Sequence, residues 1–138
     1  LRAQRAIDYF EEVQVVNGDS VTDNFFKLFM VPGFLHCTGG PGAWVSDYVE
    51  PLVSWREKGQ APERLVAASV PMCAHTSTDA FNKKYQGKCG PDGVYKAPSS
   101  EDGEVKFTRP LCAYPLQARY NGTGNVNEAK NWRCENWR

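Results

Sequence analysis

The stretch Phe25-Phe26-Lys27-Leu28-Phe29-Met30-Val31, closed by Pro32-Gly33, decides the reading of the fold. It is short, almost wholly apolar and ends on a turn signal. Those features suit a strand buried on both faces, as in a parallel sheet. On its N-terminal side, Leu1 to Val13 reads as an amphipathic helix, with Ala3, Ala6, Ile7, Phe10 and Val13 on one face. Asn17-Gly18 marks a turn. On its C-terminal side a glycine-rich loop runs from Pro32 to Trp44. A helix is predicted from about Ser46 to Lys58, with Val45, Val49, Leu52 and Val53 as its apolar face. Pro51 is tolerated only near its first turn, and Gly59 suits its C-terminal cap. Leu65 to Val70 is a second candidate strand. Helix, strand, helix, strand is the rhythm of an α/β sheet.

Past Val70 the periodicity fades. Residues 71–138 hold glycine, proline and serine clusters, four of the five cysteines and no convincing helix. Such a stretch is unusual inside one compact domain. Two strands cannot make a doubly covered parallel sheet by themselves. The expectation is therefore an α/β chain that supplies the C-terminal portion of a larger core sheet plus a long loop-rich tail. It is not an autonomous domain, and its missing strands lie upstream. Leu1 opens directly in a charged stretch, with no initiator Met and no signal peptide, so a processed product or fragment is expected.

Composition excludes several classes. The 138 residues carry 16 basic and 16 acidic side chains, and a net charge of zero argues against nucleic-acid and membrane-surface binding. No apolar run approaches the ~18 residues of a membrane span. The cysteines at 37, 73, 89, 112 and 134 form no CxxC pair, and the two histidines are His36 and His75, so no metal site is expected. Asn121-Gly122-Thr123 is an N-glycosylation sequon. With five cysteines it favours a secreted, oxidising setting, in which an odd count leaves one cysteine free or paired outside this chain.

His36 follows the apolar strand in a tight loop. An imidazole placed there can take a proton from a serine nucleophile and return it to a leaving group, because its pKa lies near neutrality. In α/β hydrolases the triad histidine occupies such a loop. From the spacing alone, a buried loop histidine that only hydrogen-bonds is the favoured reading. Weaker signals have plainer readings. Gly18-Asp19-Ser20 matches a short motif of another hydrolase class but reads better as a turn. Gly39-Gly40-Pro41-Gly42 lacks a phosphate-loop pattern, His75 reads as a surface residue, and Trp44, Trp55, Trp132 and Trp137 read as packing rather than sugar stacking.

Phe29 to Trp44, read whole as Phe-Met-Val-Pro-Gly-Phe-Leu-His-Cys-Thr-Gly-Gly-Pro-Gly-Ala-Trp, resembles the histidine region of the tannase and feruloyl esterase family. Thr108 to Pro115, then Ala118 to Gly124, Asn127 and Cys134, resemble that family's C-terminal signature. Thr38 and Ala113 stand where Ser and Pro are more usual. The resemblance divides the chain into hydrolase-core elements over 1–70 with the histidine loop, an insertion over 71–106 and the family tail over 107–138.

The resemblance implies an α/β hydrolase with a Ser, Asp, His triad, His36 being the histidine. It implies that Cys37 forms a disulfide to a cysteine beside the nucleophilic serine, in the N-terminal part of the same enzyme. The aspartate would fall just before Leu1; Asp8, Asp19 and Asp23 are not in the matching place. Cys112 would pair with Cys134, leaving Cys73 for Cys89. No cofactor is implied in this segment. Calcium and most substrate contacts belong to a lid outside it. The implied activity is hydrolysis of galloyl or feruloyl esters by a secreted enzyme. The alternatives are another aromatic ester as substrate, or a non-catalytic, disulfide-rich secreted binding module. The sequence leaves a homodimer open.

Overall fold

The computed structural model describes residues 2–35, 40–69 and 105–136. Helix α1 spans Ala3–Asn17 and a single helical turn, α2, spans Asp19–Thr22. Strand β1 is Val45–Ser46, α3 is Val49–Lys58 and β2 is Arg64–Ser69. Then come β3 at Phe107–Cys112, β4 at Gln117–Tyr120, a 3-10 turn at Ala129–Asn131 and β5 at Trp132–Glu135. One sheet has the order β1-β2-β3 and a second pairs β4 with β5. The chain is mixed α/β.

Helix α1 overruns its expected end by a turn. Gln14, Val15 and Val16 contain no breaker, so the helix continues to Gly18, whose φ of 81° stops it and whose N–H reaches the Gln14 carbonyl at 2.7 Å. Phe10, on its apolar face, is buried. Its ring meets Phe26 edge-on at 5.2 Å between centroids and Tyr114 at 6.0 Å. Helix α3 ends as its sequence requires. Gly59 is left-handed at φ 68° and its N–H returns to the Trp55 carbonyl at 3.0 Å. At the other end Asp47 Oδ1 accepts from the Val49 and Glu50 amides at 2.9 and 3.4 Å.

Three expectations are corrected. First, every ladder among the described residues is antiparallel, so no parallel sheet forms among them. Phe25 to Val31 is not a ladder strand; it contributes one antiparallel bridge, Phe29 to Ala113, and its Leu28 carbonyl accepts the Tyr114 amide at 2.8 Å. A strand in the interior of a sheet needs a ladder along each edge, and among the described residues this run has only the short contact with 113–114. Second, residues 107–135 are not loop-rich. They fold into three strands that are short and carry Pro110, which hides them from pattern reading. Pro110 lies opposite Val66 on β3, the last strand of its sheet. The Thr108 amide, two residues earlier, points away from β2 to the Asn127 carbonyl at 2.8 Å. Pro110 shares that orientation, so its missing N–H costs no bond to β2. Third, the apolar face of α3 is not buried in this chain. Val49, Leu52 and Val53 are 60%, 58% and 45% exposed.

The core centres on Ala43, Ala67 and Leu111, with Phe29, Val31, Leu65 and Phe107 packed around them. Cys112 and Cys134 are disulfide-bonded across 22 residues, joining β3 to β5. Arg64 fastens the 3-10 turn to β2 by donating to the Ala129 carbonyl at 2.7 Å.

Candidate functional site

The loop between Val31 and Trp44 is built on a backbone crossing. Its two limbs meet where the Gly42 amide donates to the Gly33 carbonyl at 3.1 Å. The approach is so close that a Cβ on Gly42 would overlap the Pro32 carbonyl oxygen, and one on Gly40 would overlap the Gly33 carbonyl oxygen. Gly33 and Gly40 also sit at φ 73° and 116°, conformations that favour glycine. The glycines therefore make a neck, and the Gly42 amide is spent closing it rather than facing a phosphate.

The neck is anchored below. Ala43 is buried in the core, and the Trp44 amide donates to the Ala68 carbonyl of β2 at 3.0 Å. Beside the neck the Phe34 and Trp44 rings lie parallel, 6° apart in plane with centroids 6.1 Å apart, as an offset stack. Leu35 is exposed, and the buried Trp44 Nε1 has no partner among the described residues.

His36 and Cys37, the residues this loop carries, lie outside the described residues, as do Cys73, His75 and Cys89. Cys112 and Cys134 are brought together. Asn121 is exposed after β4, its Oδ1 accepting from Arg133 at 3.1 Å. Of the aspartates of α1 and the segment after it, two have surface partners. Asp8 accepts from Gln4 at 2.8 Å, and Asp23 pairs with Lys27 at 3.0 Å. No three His, Cys, Asp or Glu side chains among the described residues stand close enough to hold a metal ion, and no step below is routed through one.

Two contacts were not foreseen from sequence. The Arg109 guanidinium lies between the Phe107 and Trp132 rings, 4.6 and 4.4 Å from their centroids, and burial lowers its pKa. The Tyr114 hydroxyl donates to Glu11 at 2.7 Å, which raises the phenol's pKa. Tyr114 lies in the stretch that resembles the family's C-terminal signature, but nothing in the sequence points to α1 as its partner.

The fold is similar to part of two solved esterases. An esterase from Aspergillus oryzae superposes with a TM-score of 0.64 at 25% identity, over 96% of this chain and 24% of that one. Feruloyl esterase B from the same organism gives 0.62 at 19% identity, a likeness of fold, over 97% of this chain and 24% of that one. In sequence, mono(2-hydroxyethyl) terephthalate hydrolase of Piscinibacter sakaiensis is 35% identical over 92% of this chain and 16% of its own length. A probable feruloyl esterase of Arthroderma benhamiae is 34% identical over 97% of this chain and 20% of its own. The chain thus spans about a fifth of the length of the curated relatives it matches. It belongs to the tannase and feruloyl esterase family, whose model matches residues 1–135.

Proposed function

We propose that this chain is the C-terminal part of a secreted serine carboxylesterase that hydrolyses aromatic esters of the galloyl or feruloyl type through an acyl-enzyme. The observation that carries the reading is the glycine-pinched neck at the root of the His36 loop, in a chain of this family. His36 takes the proton of the serine hydroxyl as that oxygen attacks the ester carbonyl, then gives it to the departing alcohol. A water is activated the same way to release the acid. The serine, the aspartate and the lid belong to the remainder of the enzyme, tied to this chain through Cys37. The exposed α3 face of Val49, Leu52 and Val53 packs against that remainder. Secretion suits the sequon at exposed Asn121 and the disulfide.

A second reading keeps the mechanism and changes the acid. The 35% identity to a terephthalate monoester hydrolase favours a monoester of an aromatic diacid. The test is the His36→Ala variant of the full-length enzyme, assayed on methyl ferulate, methyl gallate and mono(2-hydroxyethyl) terephthalate. Loss of a triad member costs roughly 10³-fold or more in kcat. A variant keeping a tenth of wild-type turnover would make His36 structural, and the preferred ester of the wild type decides between the two substrates.

A further inference from the structure

We infer that the Phe34–Trp44 stack is a positioning clasp for the histidine loop, an inference that rests on the reading of His36 as the catalytic base. Phe34 lies two residues before His36 on the entering limb. Trp44 lies on the leaving limb, held by its amide bond to Ala68 and by buried Ala43 before it. The glycine neck lets the limbs touch, but glycine has the widest torsional freedom of any residue, so a neck built from it gives proximity without stiffness. The stacked rings add what the glycines cannot, a side-chain bridge from one limb to the other at 6.1 Å between centroids.

Two observations bear on this role. Phe34 is 40% exposed in this chain and is not among the residues packed on the Ala43, Ala67 and Leu111 core, so its stack on Trp44 is a contact between the limbs. The Trp44 indole N–H is buried with no partner among the described residues, and its ring presents a face to Phe34. A general base must stay within ~2.6 to 3.2 Å of the proton it takes, so slack in the limbs should appear in kcat rather than in substrate affinity.

The experiment uses the full-length enzyme with methyl ferulate, methyl gallate and mono(2-hydroxyethyl) terephthalate as probes. Phe34→Leu and Trp44→Leu, which keep apolar bulk, are expected to lower kcat about tenfold or more while KM stays within about twofold. Phe34→Tyr and Trp44→Phe keep the rings and should stay within about threefold of wild type in kcat, with Trp44→Phe giving up no observed hydrogen bond. The double Leu variant should lose no more than either single one, because the pair acts as a unit. Leucine variants within about threefold of wild type, additive losses, or a rise in KM at unchanged kcat (rings that touch substrate instead) would each overturn the clasp. If His36→Ala retains turnover, the catalytic reading itself fails. If His36→Ala is dead and the leucine variants are active, only the clasp fails.

Discussion

Tyr114 donates its hydroxyl to Glu11 across 103 residues of chain, 2.7 Å from oxygen to oxygen. The bond ties the segment after β3 to α1, one ring away from the Phe10 cluster. The hydrogen bond is the largest cause of the raised phenol pKa, ahead of burial and the Glu11 and Asp8 charges. The folded state thus holds the phenolic proton more tightly than the unfolded chain. This contribution is whole below the unfolded value of 10.0 and is lost as pH rises through the raised folded value. Tyr114→Phe is expected to cost under about 1 kcal/mol near neutrality, since the pair is solvent-accessible. It should also flatten the decline in stability above pH 10. Denaturant unfolding at pH 7 and across pH 9 to 11 checks both; an unchanged alkaline slope would sink the assignment.

The glycine neck makes a sharper expectation. Gly42→Ala and Gly40→Ala place a methyl group where a carbonyl oxygen already lies, and backbone must move to admit it. Gly59→Ala is the control, since it is left-handed at φ 68° with nothing within 4 Å of the added carbon. That control should cost on the order of 1 kcal/mol of stability and leave turnover within about twofold. The neck variants should lower turnover of the full-length enzyme by about 10²-fold, because a misplacement near 1 Å is enough to do so. Neck variants as active as the Gly59 control would show that the crossing does not govern the site.

Which parts were legible follows from where the determining physics lies. Helix α3 and its Gly59 cap were readable because caps and periodicity are local. So was β2, a compact apolar run. The end of α1 was misplaced because Val15 and Val16 look like a change of pattern, yet only Gly18 breaks a helix. Phe25 to Val31 was read as a sheet strand because its apolar run says nothing of how many neighbours it has. β3 was hidden because Pro110 reads as a breaker until its outward-facing position at a strand edge is known, and β4 and β5 because four residues each are too few to set a pattern. At the site, the glycines and His36 stood out as a motif, whereas the Phe34–Trp44 stack and the Tyr114–Glu11 bond depend on approach in space.

The Cys112–Cys134 disulfide closes a loop of 22 residues between β3 and β5. Chain-entropy arguments assign a loop of that size about 3 kcal/mol, through the unfolded state, with the mechanism model-dependent. Cys112→Ala together with Cys134→Ala is expected to lower unfolding free energy by about that amount. Cys112 is buried, so part of the loss is packing. Urea unfolding measures the change, and non-reducing peptide mapping should also find Cys73 joined to Cys89. A Cys73 link to Cys112 or Cys134 would overturn both pairings.

Cys37 tests the proposed architecture most directly. It adjoins His36 in the chain, so a disulfide from it to the nucleophile loop would fix the base and the nucleophile to one another by covalent bonds. The glycine neck, being torsionally permissive, would leave such a tether more to do. Reduction of the full-length enzyme is then expected to abolish activity at lower reductant than is needed to unfold it, because the site loses alignment before the fold loses its core. Trapping with iodoacetamide during mild reduction should label Cys37 in step with the loss of turnover, while Cys112, buried between strands, is labelled later. Alkylation of Cys37 as a free thiol in fully active enzyme would remove the tether, and with it the link proposed between this chain and the serine-bearing part.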